Sequence, residues 1–203
     1  MTAPTHVTLG KSSFGATPVS VIMPAYNEEG GIREAVAAVQ MHVLTAVPGS
    51  ELVVVNDGSR DSTGPILDEL AAADSRLRVV HKANGGHGPA IMTGLSAARG
   101  DYVFLIDSDN QIPLESFAAL WRAAVAGRDG AFGVRRIRKD AELRRVLTVV
   151  IRGSLGLLFG VRLYDANVPF KLLRRSIGEE ARRYIPEGSL APSLFLAVFV
   201  MRR

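Results

Sequence analysis

Tyr102-Val103-Phe104-Leu105-Ile106-Asp107-Ser108-Asp109-Asn110-Gln111 is an apolar run that stops abruptly on two carboxylates and two amides. Five apolar residues in succession, with no polar alternation, read as a strand buried on both faces. The same grammar recurs upstream. Val19-Ser20-Val21-Ile22-Met23 stops at Pro24 and leads into Ala25-Tyr26-Asn27-Glu28, and Leu52-Val53-Val54-Val55 ends on Asn56-Asp57-Gly58-Ser59. Leu77 to Val80 precedes Asn84-Gly85-Gly86-His87-Gly88. Between these runs the apolar residues take helical spacing. Ile32, Ala35, Val36, Val39 and Val43 share one face, and Asp61-Ser62-Thr63 can cap a helix carrying Ile66, Leu67 and Leu70. A further helix opens at Gly88-Pro89, with proline in its first turn, and runs through Ala98. Doubly buried strands alternating with amphipathic helices predict an α/β fold, a mainly parallel sheet covered on both faces.

Ligands of such sheets bind outside the carboxyl ends of the strands. All four of those ends are polar here, which marks one rim of the sheet as the place to look for chemistry. In the fourth, Asp107 and Asp109 stand at i and i+2, with the Gln111 amide two further on, a set of hard oxygen donors suited to Mg²⁺ or Mn²⁺. A cation held there would neutralise a diphosphate and stabilise it as a leaving group. An Asp-rich turn also satisfies itself with Asx hydrogen bonds, and it is the three neighbouring polar loops that favour the metal. Asp57 can accept hydrogen bonds from a base or ribose, or serve only the turn into the next helix. Gly86, His87 and Gly88 allow close backbone approach, and a helix N-terminus follows that favours an anion. The segment is neither a Gly-Lys-Ser/Thr phosphate loop nor a G-x-G-x-x-G fingerprint. His6, His42 and His81 have no metal-ligand spacing.

The 203 residues, 47% apolar and 22% charged, predict a flexible leader over 1–17 and one domain over 18–203. With no cysteine, disulfides, thiolate-bound zinc and thiol nucleophiles are excluded. No apolar run approaches the roughly 18 residues a membrane span needs; Val146 to Val161 is interrupted by Arg152. The net charge of +4 conceals a division. Up to Gly127 there are 8 Lys and Arg against 13 Asp and Glu, and from Arg128 onward 16 against 7. The acidic part suits a cation and neutral polar ligands; the basic part suits phosphates, nucleic acid or an anionic membrane face. Arg135-Arg136-Ile137-Arg138-Lys139, with Arg144 and Arg145, leads into a helical pattern over Asp140 to Phe159, the arrangement of an interfacial segment. Aromatic residues are 6% of the chain and sparse around this cluster, which argues against nucleic acid. A last apolar helix is predicted over Leu190 to Met201.

Four ordered motifs carry a resemblance over roughly Val19 to Met201: residues 19–29, 53–63, 84–90 and 98–113. The chain resembles the family 2 glycosyltransferases of the GT-A fold, and among them the dolichyl- and polyprenyl-phosphate sugar synthases. The resemblance implies a Rossmann-like sheet with a helical basic C-terminal part, a nucleotide-diphosphate sugar donor, a lipid-phosphate acceptor and Mg²⁺ or Mn²⁺. It implies a donor pocket of Pro24, Ala25, Tyr26, Glu28, Asp57, Gly86, His87, Gly88, Asp107 and Ser108. Asp107, Asp109 and Gln111 would hold the metal. Asp107 and Asp109, with Arg135 and Arg145 for the acceptor phosphate and Asp165 ahead of the Phe170-Lys171 segment, form the catalytic set. Where relatives have Gly-Phe-Lys/Arg, this chain has Pro169-Phe170-Lys171. The family pattern runs past the last helix into a further strand and a basic tail, so a shortened C-terminus is expected. Peripheral association with the cytoplasmic membrane face follows, with no nucleic-acid partner. Two other readings stand beside this one. One is a family 2 transferase acting on a glycan hydroxyl, with Asp165 or Glu187 as base; the other is an inactive, membrane-associated protein of the same fold.

Overall fold

Val19–Ala25 (β1) is buried at every position, as an unalternating apolar run requires. It sits inside a six-stranded sheet between Glu51–Asp57 (β2) and Tyr102–Leu105 (β4). The computed structural model describes residues 17–109, 113–126, 129–133, 170–186, 188–189 and 192–202. Gln111, Arg135, Arg145, Asp165, Glu187 and the helix expected over Asp140 to Phe159 lie outside the described residues. With Leu77–Lys82 (β3), Gly130–Phe132 (β5) and Lys171–Arg174 (β6), the strand order is β3-β2-β1-β4-β6-β5. The first four are parallel, while β6 runs antiparallel to both β4 and β5. The expected parallel α/β core is therefore present, extended by an antiparallel pair.

Helices cover both faces. Ile32–Val39 (α1), Thr63–Ala73 (α2) and Phe117–Val125 (α4) pack Ile32, Val36, Leu67, Phe117 and Trp121 against Val21, Met23, Val54 and Phe104. The helix expected over Ile32 to Leu44 is α1 continued by a π-helical turn, Gln40–Leu44. Aromatic edges tighten this side: Tyr102 meets Trp121 at 5.4 Å between ring centroids and Phe104 meets Phe170 at 4.8 Å. On the other face His87–Ala97 (α3), Arg175–Arg182 (α5) and Pro192–Arg202 (α6) bring Ile91, Leu95, Ala181 and Leu196 onto Ile22, Val103, Leu105 and Leu173. Ser20, the polar exception inside β1, donates to Glu51 Oε1 at 2.7 Å and accepts from the Gly100 N–H at 2.8 Å, so its burial leaves no group unsatisfied.

One contact fixes how α3 addresses the sheet. A Cβ on Gly94 would stand 2.3 Å from Ile22 Cγ2, so the helix lies closer to β1 than any other residue permits. Gly94→Ala is expected to cost about 2 kcal/mol by overpacking, read as a lower urea midpoint at unchanged slope.

Candidate active site at the carboxyl rim

Because β3, β2, β1 and β4 are parallel neighbours, their carboxyl ends open on one rim. Pro24 and Ala25 are buried at the end of β1, and Tyr26, 43% exposed, is the first side chain to emerge. The chain then turns through Asn27 at φ 55°, a left-handed conformation that asparagine tolerates better than most residues. Hydrogen bonds hold it there. The Asn27 N–H donates to Ser59 Oγ at 3.0 Å and the Arg60 N–H donates to Asn27 Oδ1 at 2.8 Å. The Glu28 N–H donates to Thr63 Oγ1 at 2.8 Å and the Ser62 N–H to Glu29 Oε2 at 2.9 Å. The loops after β1 and β2 are thus one cross-linked unit.

Asp57, 3% exposed, ends β2 and does the same for the third loop. Its register partner across β2 and β3 is Lys82, whose Nζ donates to Asp57 Oδ1. The Gly85 N–H donates to the same oxygen at 3.0 Å and the Gly86 N–H to Oδ2 at 2.7 Å. Burial alone would raise this carboxyl's pKa. The bonds from Lys82, Gly85 and Gly86, with the Lys82 charge, outweigh burial and hold it below the usual aspartate range. Asn84 Nδ2 closes the contact by donating to the Asp57 carbonyl at 2.9 Å. The next residue, Gly58, has φ +70°, and a Cβ there would fall 2.6 Å from Asn84 N, so the two loops abut at a position only glycine can occupy.

The fourth loop joins this assembly through Asp107. The Ile106 N–H donates to the Ile22 carbonyl at 3.1 Å, carrying the β1–β4 ladder to the residue before it. Asp107 Oδ1 then lies 3.7 Å from His87 Nε2, at the start of α3. Ser108 is buried and Asp109 exposed. Gly86 and His87 reach the rim, whereas Gly88 is buried under the Ser189 carbonyl. Asn27 and Ser59 lie in the polar strand ends but have no individual role from sequence, and Lys82 carries no sequence signal of its own. It takes the β2–β3 register to show that Lys82 stands level with Asp57. His81, given no role from sequence, is a structural link between Asn56 and Asp68, at 2.9 Å to each.

The described residues contain no cluster of three or more His, Cys, Asp or Glu able to hold a metal by themselves. Asp107 and Asp109 nonetheless fit a cation that takes one or two carboxylates and completes its shell with substrate phosphates and water. Their oxygens are hard donors, and the turn that bears them follows a strand paired on both sides.

A parallel β3-β2-β1-β4 core closed by an antiparallel strand, with Asp-x-Asp on the turn after its last parallel strand, is a GT-A scaffold. The chain belongs to glycosyl transferase family 2, whose family model matches residues 20–190. It is similar to the undecaprenyl-phosphate 4-deoxy-4-formamido-L-arabinose transferase of Pseudomonas aeruginosa (strain LESB58). The two are 32% identical over 163 residues, 79% of this chain and 48% of that protein. Among solved structures it is similar to the Mycobacterium tuberculosis glucosyl-3-phosphoglycerate synthase in complex with Mn²⁺, UDP-glucose and phosphoglyceric acid. Identity there is 26%, with a TM-score of 0.58 over 79% of this chain and 57% of that one. S. aureus TarS 1–349, 23% identical, shares the fold at a TM-score of 0.61, over 90% of this chain and 55% of that one. The chain spans about half the length of the curated relatives it matches.

Proposed function

We propose that this protein transfers a sugar from a nucleoside diphosphate donor to a polyprenyl-phosphate acceptor, with inversion at the anomeric carbon. The observation that carries the reading is the convergence of all four strand-end loops, with the Asp107 carboxylate beside the histidine that opens α3. Asp57, buried and accepting from Lys82, Gly85 and Gly86, clamps the glycine loop to the end of β2 and so shapes the ground on which the nucleoside would lie. Tyr26 and Glu28, on the cross-linked β1 loop, would meet the nucleoside from the other side. Gly86 and His87 address the diphosphate, at a helix N-terminus where negative charge is favoured. Asp107 and Asp109, with Gln111, would hold Mg²⁺ or Mn²⁺, whose charge would stabilise the departing nucleoside diphosphate.

In the transfer, an oxygen of the acceptor phosphate forms a bond to the anomeric carbon from the face opposite the leaving group. The bond from that carbon to the diphosphate breaks, and the nucleoside diphosphate leaves with the electron pair. A phosphate monoester is already ionised at neutral pH, so no residue need remove a proton. The protein's contribution is orientation and charge. Arg135 and Arg145 are assigned to the acceptor phosphate and Asp165 to its approach. The positive charge of the basic half would suit an anionic membrane face carrying the lipid acceptor, proposed to be the cytoplasmic one. No described helix is long and apolar enough to cross a membrane.

The test is a transfer assay preceded by a thermal-shift panel of sugar nucleotides with and without Mn²⁺. A donor at 100 times its Kd should stabilise the fold by about 2.7 kcal/mol, and only in the presence of the ion. Sugar should then appear on undecaprenyl phosphate. Transfer to soluble glycans alone would replace the lipid acceptor with a hydroxyl, and donor-independent liposome binding without transfer would favour an inactive membrane-bound protein.

A further inference from the structure

We infer that Lys171 is a positioning residue for the donor diphosphate, acting through the start of α6; the inference rests on the rim being the donor site. Lys171 is the first residue of β6 and only 1% exposed, one of the few charged side chains in the core. Its register partner in β4 is Leu105, two residues before Asp107. Side chains two apart on a strand share a face, and Leu173 packs with Ile91, Leu95 and Leu196 beneath α3 and α6. Lys171 therefore points to the α3 and α6 side of the sheet, at the rim. There its Nζ donates to Ser193 Oγ in the first turn of α6.

Ser189 and Pro192, the latter the first residue of α6, are wedged onto the glycine loop. A Cβ on Gly88 would lie 2.0 Å from the Ser189 carbonyl oxygen and 2.9 Å from Pro192 Cδ. Gly88 directly follows His87, whose ring stands 3.7 Å from Asp107. An unbroken run of contacts thus leads from Lys171 through Ser193 and Pro192 to Gly88, His87 and the acidic turn. Burying an ammonium is costly where a methionine would fill the same volume, so a core selected for packing alone would not place one here. As an ammonium hydrogen-bonded to Ser193, it fixes α6 at one height on the sheet, and that height sets where the N-terminus of α3 meets the diphosphate.

Steady-state kinetics on the full chain tests this. Lys171→Met is expected to raise the donor KM about tenfold while the acceptor KM stays as in the wild type, a size in keeping with coupling through packed neighbours. Lys171→Arg should recover part of the loss. Ser193→Ala, which removes only the accepting hydroxyl, should raise the donor KM about threefold, and it decides the matter if Lys171→Met does not fold. Wild-type donor KM in a folded Lys171→Met or in Ser193→Ala overturns the inference. So does a parallel rise in both KM values, which marks general loosening. A wild-type protein that binds no sugar nucleotide with Mn²⁺ overturns the functional reading itself.

Discussion

Asp109→Ala is expected to reduce transfer by a factor of about 10³ or more while leaving the melting temperature unchanged. The two halves of that expectation have separate causes. Asp109 is exposed on a turn, so the fold loses little when its side chain is cut back. The turn follows a strand paired on both sides and extended by the Ile106 bond to Ile22, so it leaves the sheet from a fixed point on the rim. Asp107→Ala should lose activity comparably. Initial rates over a Mn²⁺ titration, with melting curves as the control for folding, measure both variants. Wild-type activity in folded Asp109→Ala would remove the metal from the mechanism.

Asp57→Ala should fail in a different way, losing donor binding and stability together. The carboxylate is almost fully buried and receives the Lys82 ammonium and two backbone N–H groups. Its removal leaves those donors facing a gap, at a cost of about 3 kcal/mol. It also releases the glycine loop from β2, so donor affinity should fall with stability. Asp57→Asn keeps one acceptor oxygen and should lie between. The folded carboxyl is held below the ordinary aspartate range. Its contribution is therefore full above that range and disappears as the pH falls through the lowered folded value. Urea unfolding at descending pH should show this acid loss in the wild type, and a shallower one in Asp57→Ala.

The sequence discloses the parallel core because its strands lie in apolar runs bounded by polar turns: β1, β2 and β4 begin and end within a residue or two of where the composition changes, and the run of β4 continues through Ile106. The antiparallel pair carries no such signal. β5 has three residues, and β6 reads Lys171-Leu172-Leu173-Arg174, too short for a period to emerge. The acidic turn and the glycine loop were legible for the same local reason, each being a cluster of polar and small residues at a strand end. What escaped were pairings made by register and by reciprocal loop bonds. Lys82 meets Asp57 only because β3 aligns with β2 in one particular offset, and Asn27 meets Ser59 across 32 residues of chain. Such partners have no spacing to betray them.

The reversed strand has a consequence for how this scaffold can diversify. β5 runs parallel to β4 and ends at Phe132; β6 runs the other way and begins at Lys171, Phe132's register partner. Gly133 and Phe170, which flank residues 134–169 in sequence, are consequently held together at the carboxyl rim, where the Gly133 N–H donates to the Phe170 carbonyl at 2.9 Å. On the proposed assignment that stretch would serve the recipient and Asp107 and Asp109 the donor, and its length and composition could change without altering the pairing of β4, β5 and β6. Under that assignment, choice of recipient and activation of the donor would be separable by topology.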